Sequence, residues 1–252
     1  MKMTRAVRLP QKTDPDDLVY LLKAIGRDRQ SIREIDSIVE KNLFVSRRGL
    51  AQYHRLLGRR FAKDLSRLKS NQIWLDSGMG AGCAIRDYYR KFPRTAQVIG
   101  VCVRFAGDPH EKIQIESRGA RVLVGEKIEH RRLQDLGRPQ LISDVFGPLT
   151  YSQDLRVVLR RYFQVLQIGG VLHTVDAHKL GARSARCLFI DQQRVLTLAE
   201  FLKTLKGIEV REQVLGKIVA IRVQKTRTKV PVPRLRYLGQ YATRMKVYQV
   251  LR

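Results

Sequence analysis

The sequence predicts an α/β fold: a doubly wound, mostly parallel seven-stranded sheet with a terminal antiparallel hairpin strand, an N-terminal helical extension and a basic C-terminal tail. Three observations predict it. From residue 71 onward, short apolar runs alternate with amphipathic segments, which is the pattern of successive βα units packed on a parallel sheet. The last two runs are joined only by "LGK", too short for a crossover, so they must pair antiparallel. The first run opens directly onto glycines at 78, 80 and 82, where a doubly wound sheet needs a bare strand-to-helix turn. The boundaries that follow are 1–70 for the extension, 71–225 for the sheet domain and 226–252 for the tail.

The elements follow in order. Residues 14–70 read as helical. "DPDDLVYLLKAIG" offers an Asp cap, a Pro in the first turn, an apolar face and a closing Gly26. "SRRGLAQYHRLLGRRFAKDLSRLK" spaces Leu50, Tyr53, Leu57, Phe61, Leu65 and Leu68 by three and four, giving one apolar stripe. Its other face carries Arg48, Arg55, Arg59, Arg60, Lys63, Arg67 and Lys69, which is either solvated or laid on phosphate. The strands are expected at "QIWLD" (72–76), "AQVIGVCV" (96–103), "ARVLVG" (120–125), "QLISDVF" (140–146), "GGVLHTV" (169–175), "IEVREQV" (208–214) and "KIVAIRVQ" (217–224). Helices are expected in "AIRDYYRKF", "DLRVVLRRYFQVLQ" and "LTLAEFLKTLK". The tail from residue 225 on has no Asp or Glu. Its Pro231 and Pro233 bar a regular helix and suggest an extended passage. Basic residues interleaved with Tyr237, Tyr241 and Tyr248 could follow a nucleic-acid backbone and stack on bases, or the tail could be strapped over the body with its tyrosines packed.

Composition narrows the partners. Lys and Arg number 49 against 23 Asp and Glu, a formal charge of +26, which favours a polyanionic partner, most often nucleic acid. A solvated basic surface and an anionic membrane surface are the alternatives. No apolar run reaches the roughly 18 residues a membrane span needs, so no membrane partner is expected. The start is basic but lacks an apolar core segment, so no secretory signal is expected. Cys83, Cys102 and Cys187 form no paired motif, which predicts neither a zinc site nor a disulfide framework and fits a reducing, cytoplasmic setting. His110, His130 and His178 have no ligand spacing, so no metal is expected.

"LDSGMGAG" resembles motif I of the class I S-adenosylmethionine-dependent methyltransferases, an acidic residue followed by GxGxG. The strand tally ending in an antiparallel strand is also similar to that family, and the resemblance runs from about residue 71 to 225. "DVFGPLTYSQDLRVVLRRYFQVLQIGGVLHTV" reads like its fourth strand, following helix and approach to the fifth strand. The resemblance implies a Rossmann-like methyltransferase fold with S-adenosylmethionine as cofactor. It implies that Asp76, Gly78, Gly80 and Gly82 surround the amino-acid portion of that cofactor, and that Glu126 lies near its adenine. Asp144 and Val145 fall in the motif after the fourth strand, with Asp144 and Tyr151 as candidate catalytic groups. The family usually has an acid for the ribose about 20 residues beyond the loop. Here Cys102 stands there, and a neutral thiol cannot accept two hydroxyls as a carboxylate can.

Three functions are carried forward. The first is an S-adenosylmethionine-dependent methyltransferase acting on RNA, ribosomal RNA among the candidates. Its nucleic-acid contacts are expected at Arg55, Arg59, Arg60 and Lys63 on the helix, and at Arg234, Arg236, Tyr237, Arg244 and Lys246 in the tail. The second is a small-molecule or protein methyltransferase, suggested by the uncharged "VFGPLTY" loop. The third, suggested by Cys102, is an inactive methyltransferase-like protein that binds RNA or serves assembly. The motif after the fourth strand does not name the acceptor. "DVFG" is not the base-amino pattern, no nucleophilic Cys lies beside it, and Val175 stands where a 2′-O-methylating site would want Lys.

Overall fold

The computed structural model describes residues 47–92, 95–177, 186–192, 194–241 and 245–251. The part of the helical extension before residue 47 lies outside them, as do Arg244 and His178. The described strands are β1 (Ile73–Ser77), β2 (Gln97–Cys102), β3 (Arg121–Val124), β4 (Leu141–Asp144), β5 (Val171–Ala177), β6 (Arg186–Asp191), β7 (Arg194–Thr197), β8 (Ile208–Leu215), β9 (Ile218–Lys225), β10 (Arg234–Tyr241) and β11 (Met245–Leu251). The helices are α1 (Leu50–Ser66), α2 (Cys83–Lys91), α3 (Pro109–Glu116), α4 (Pro148–Tyr151), α5 (Leu155–Val165) and α6 (Leu198–Lys203), with a 3₁₀ turn at Leu133–Leu136.

The main sheet has seven strands in the order β3-β2-β1-β4-β5-β9-β8. β1 to β5 are parallel, while β9 runs antiparallel to both β5 and β8. This is the doubly wound sheet with an antiparallel end that the sequence predicts, strand for strand. The order reverses at β1. Ser77 at its end pairs with Val101 of β2 on one side and Asp144 of β4 on the other. Helices leave β1 and β4 for opposite faces of the sheet, so their carboxyl ends form the switch point at which doubly wound sheets have their crevice.

Local chemistry sets the helices. Asp108 accepts from the backbone N–H of Glu111 at 2.9 Å, with Pro109 in the first turn, and starts α3. Asp154 caps α5 in the same way, through Val157 N. Thr197 and Glu200 form a reciprocal capping box at α6. The stripe expected on α1 is buried at Leu50, Tyr53, Leu57, Phe61 and Leu65, but the helix is broken at Gly58, whose φ of 79° is left-handed. The stripe survives the break because both helical pieces press on the same sheet face. There they build one core with Trp74, Ile85, Tyr88 and Val98. The opposite face carries a second core, in which Leu155, Val158, Leu159 and Tyr162 of α5 meet Leu75, Ile142 and Leu172 of the sheet.

The second core is shared with a further sheet, order β10-β11-β6-β7, that the sequence does not predict. β6 and β7 are an insertion between β5 and α6, and β11 pairs with β6 in parallel. Phe189 stacks on Phe201 at 4.1 Å and 7°, and Tyr248 lies 5.6 Å from Phe189. The basic tail is therefore a β-hairpin built into the body, with Tyr237 and Tyr248 packed. One expected nucleic-acid contact changes as a result. Lys246 is 2% exposed and donates from Nζ to Ser152 O at 2.5 Å, so its charge faces the interior and is closed to phosphate. Tyr237 is half-buried, its ring centroid 5.6 Å from that of Tyr248. Among the described residues no helix is long and apolar enough to cross a membrane.

Candidate functional site at the glycine turn

β1 delivers its last two side chains, Asp76 and Ser77, to the crevice, and the chain then turns through Gly78 to Gly82 into α2. All three alternate glycines have left-handed backbone, with φ of 91° at Gly78, 61° at Gly80 and 68° at Gly82. Only glycine adopts these angles without strain. Close packing also demands them. A Cβ on Gly78 would sit 2.8 Å from the Cα of Gly147, and one on Gly82 would sit 2.8 Å from Ile115 Cδ1. The loop after β4 thus lies directly against the loop after β1. The turn is anchored to β2 as well: Gly78 N and Met79 N both donate to Val101 O, at 2.8 and 3.1 Å.

Two fully buried carboxylates frame the crevice. Asp76 accepts from Ser143 Oγ at 2.8 Å, and the Tyr53 hydroxyl of α1 lies 3.1 Å from both of its oxygens. Ser143 Oγ in turn accepts from Trp74 Nε1 at 2.8 Å. Burial pushes the Asp76 carboxyl up to about 7, against the pull of its Ser143 and Tyr53 donors. Asp144 accepts from Gly147 N at 2.8 Å and Leu149 N at 2.9 Å, and so folds the "DVFG" segment into a tight turn with Phe146 at a φ of 53°. The Tyr162 hydroxyl stands 2.7 Å from both Asp144 Oδ2 and Ser77 Oγ. A carboxylate only accepts, so Tyr162 donates to Asp144 and receives from Ser77. Burial also pushes Asp144 up, to about 6, despite these donors.

The structure brings Asp76, Gly78, Gly80, Gly82, Cys102, Asp144 and Val145 to the carboxyl ends of adjacent strands, as the sequence reading requires. Cys102, 7% exposed, ends β2, and burial raises its thiol to about 11, so it is a neutral group there. Glu126 is exposed just past β3, its Oε2 3.9 Å from Arg131 Nη1. Val145 is buried, and Tyr151 is half-buried at the end of α4. Asp144 is 0% exposed and accepts from Gly147 N, Leu149 N and Tyr162, so in this arrangement it positions the loop after β4. His173 is 1% exposed on β5, 2.9 Å from Asp64 Oδ2, which also accepts from Arg222 Nε at 2.7 Å. It packs the core. Arg55, Arg59, Arg60, Lys63, Arg234 and Arg236 are all exposed.

Sequence reasoning missed Tyr53, Ser143 and Tyr162. Tyr53 and Tyr162 were legible only as members of apolar stripes. The sign of a second role is that each is a stripe residue carrying a hydroxyl where Leu or Phe would fill the same space.

No protein-family model and no curated protein matches the chain. Solved structures do resemble it. An rRNA methylase from Streptococcus thermophilus is 10% identical with a TM-score of 0.45, covering 67% of this chain and 95% of its own. A methyltransferase from Geobacter sulfurreducens is 15% identical with a TM-score of 0.47, covering 89% and 100%. The 1,6-didemethyltoxoflavin-N1-methyltransferase of Burkholderia thailandensis, solved with S-adenosylhomocysteine, is 14% identical with a TM-score of 0.47, covering 88% and 94%. The likeness concerns the path of the chain; what the site does has to come from its own residues.

Proposed function

We propose that the chain is an S-adenosylmethionine-dependent methyltransferase acting on RNA. The observation that carries this reading is the turn at the switch point. Three left-handed glycines stand between β1 and α2, at the one place where the strand order reverses and the backbone can lie against a ligand. The residues there fit such a group in part. The backbone of Gly78 to Gly82, the Cys102 thiol, Glu126 and Val145 would hold the cofactor, which when bound supplies an electrophilic methyl group. The thiol at Cys102 gives the ribose a weaker partner than a carboxylate would. RNA as acceptor is supported by the charge of +26 and by the exposed Arg55, Arg59, Arg60 and Lys63 face of α1.

Calorimetric titration of the full chain with S-adenosylmethionine and S-adenosylhomocysteine tests the cofactor. Micromolar binding is expected, tightened about tenfold in Cys102→Asp, because a charge-assisted hydrogen bond replaces a weak one. A flat titration with both proteins would overturn the reading. Transfer of labelled methyl from the cofactor to total RNA then tests the acceptor.

A second reading is RNA binding without transfer. It is favoured by Asp76, which is 0% exposed with its oxygens taken by Tyr53 and Ser143, and by Cys102. It predicts RNA binding in a protein that gives no heat with either cofactor form.

A further inference from the structure

The strongest unassigned feature is a groove of about 530 Å³ between the segment after β3 and helix α5. Its lining contains Arg131, Arg132, Arg160 and Arg161, with Gln134 and Gln164 among the rest, and no carboxylate. The arginines come in two doublets, "HRRL" and "LRRY", about 30 residues apart in sequence, and the fold sets them face to face.

Two features separate this groove from an ordinary solvated basic face. Arg131 is 8% exposed, and the Nε atoms of Arg131 and Arg161 are buried without a hydrogen-bond partner. A buried guanidinium charge with an unpaired N–H is costly, and an anion nearby in the groove offsets part of that cost through its charge, while direct contacts fall to the exposed Arg132 and Arg160. One Nη of each guanidinium is held by the backbone. Arg131 Nη2 donates to Val124 O at 2.7 Å, and Arg161 Nη1 donates to Arg131 O. The forks are thus held before any ligand arrives, which lowers the ordering cost of binding. The neighbouring carboxylate, Glu126, stands 3.9 Å from Arg131 Nη1, beyond hydrogen-bond distance, and is itself largely in solvent.

The groove also has the composition of a nucleotide site. Leu133, 39% exposed, and Val157 supply apolar surface for a base, and two glutamine amides supply donors and acceptors for its edge. Its position is informative: Arg131 caps the carboxyl end of β3, the same edge of the sheet that carries the glycine turn. We infer that this groove binds the backbone of single-stranded RNA, taking a phosphodiester between the two arginine doublets with one nucleotide over Leu133 and Val157. The inference builds on RNA as the partner in the proposed function and does not depend on methyl transfer.

The test is fluorescence anisotropy of a labelled ten-nucleotide single-stranded RNA against the full chain over a salt series. Arg132 and Arg160 are exposed, so Arg132→Gln/Arg160→Gln should leave the fold intact. The double variant is expected to bind ten- to a hundredfold more weakly at 0.1 M salt. Its slope of log K against log salt should fall by about 0.7, the value for one phosphate contact on a single strand. Arg55→Gln/Arg59→Gln, on the opposite face of the sheet, should change affinity less. Wild-type affinity and slope in the groove variant would overturn the inference, and so would equal displacement of the RNA by inorganic phosphate or by vesicles rich in phosphatidylserine. Cofactor titration of the same variant keeps the two readings apart. RNA binding lost in the groove variant, with no cofactor heat in the wild type, supports the groove and removes methyl transfer. Intact cofactor heat beside unchanged RNA binding removes the groove alone.

Discussion

Asp76→Asn is expected to stabilise the protein by roughly 2–4 kcal/mol at pH 8 and to change it little near pH 4.5. The Asp76 carboxyl is fully buried, and burial pushes its folded pKa up to about 7. In the unfolded chain it titrates near the ordinary value of about 3.9. Between these two values the folded protein holds a proton that the unfolded chain has released, so raising the pH removes stability. The loss starts near pH 4, is complete above about pH 7, and has an upper bound of about 4 kcal/mol for a shift of about three units. Asparagine imitates the protonated acid, since its amide still accepts from Ser143 and can donate to the Tyr53 hydroxyl. Other groups also make stability depend on pH. Asp64, held down to about 2 chiefly by its hydrogen bonds to His173 and Arg222 against the opposing cost of burial, loses its contribution only in strong acid. His173, lowered by burial, becomes more favourable as pH rises towards 6.5. Both are present in wild type and variant, so the difference between the two isolates Asp76. Urea unfolding followed by fluorescence of Trp74, the single tryptophan, measures it directly. A difference that does not grow between pH 4.5 and 8 would show that Asp76 is ionised and solvated in the folded protein.

That result also bears on the site. A carboxyl protonated near neutrality is a weak partner for a cationic amino group, and here its oxygens are occupied by Tyr53 and Ser143. A ligand that needs the Asp76 charge must displace Tyr53, which makes α1 part of the binding event.

The strands of the main sheet were legible because most are compact apolar runs, β8 carries its apolar residues amid charge, and the short "LGK" link leaves one way to pair the last two. The second sheet was not. β7 begins within residues whose apolar spacing continues into α6, so "LTLAEFLKTLK" hides a strand end inside a helix pattern. β10 does carry a period of two, with Arg234 and Arg236 outward and Leu235 and Tyr237 packed inward. β11 does not: Lys246, Val247 and Tyr248 are all buried, because both faces of that strand are covered. Its partner β6 lies roughly 60 residues earlier and pairs in parallel, a contact that no local pattern encodes. At the site the glycines and Asp76 were legible from their spacing, and Asp144 from the resemblance of the segment after the fourth strand. Their partners were not, because Tyr53 reaches Asp76 from 23 residues away and Tyr162 reaches Ser77 from 85.

Phe61→Ala is expected to cost about 3–5 kcal/mol, the usual range for deleting a buried aromatic ring and leaving a cavity. Phe61 is 0% exposed and lies at the centre of four rings, with centroids at 5.4 Å to His173, 5.9 Å to His54, 6.1 Å to Tyr53 and 6.4 Å to Trp74. It is the joint between α1 and the sheet. The break at Gly58 means that backbone hydrogen bonding does not hold the two halves of the helix in line, so side-chain packing has to. The second half is also tied by Asp64 to His173 and Arg222, and the first half by Tyr53 to Asp76. Phe61→Leu, which keeps most of the apolar volume, should cost less than half as much. Urea midpoints at pH 7 read by Trp74 give both numbers, and hydrogen exchange of α1 amides gives the local consequence. If the ring is the joint, exchange in Leu50–Ser66 rises in Phe61→Ala by more than in β4 and β5. A cost under 1 kcal/mol, with α1 exchange unchanged, would mean that the helix is held by its polar ties alone. The basic face of Arg55, Arg59, Arg60 and Lys63 would then ride on Tyr53 and Asp64, and a ligand that displaced Tyr53 from Asp76 would free the first half of the helix.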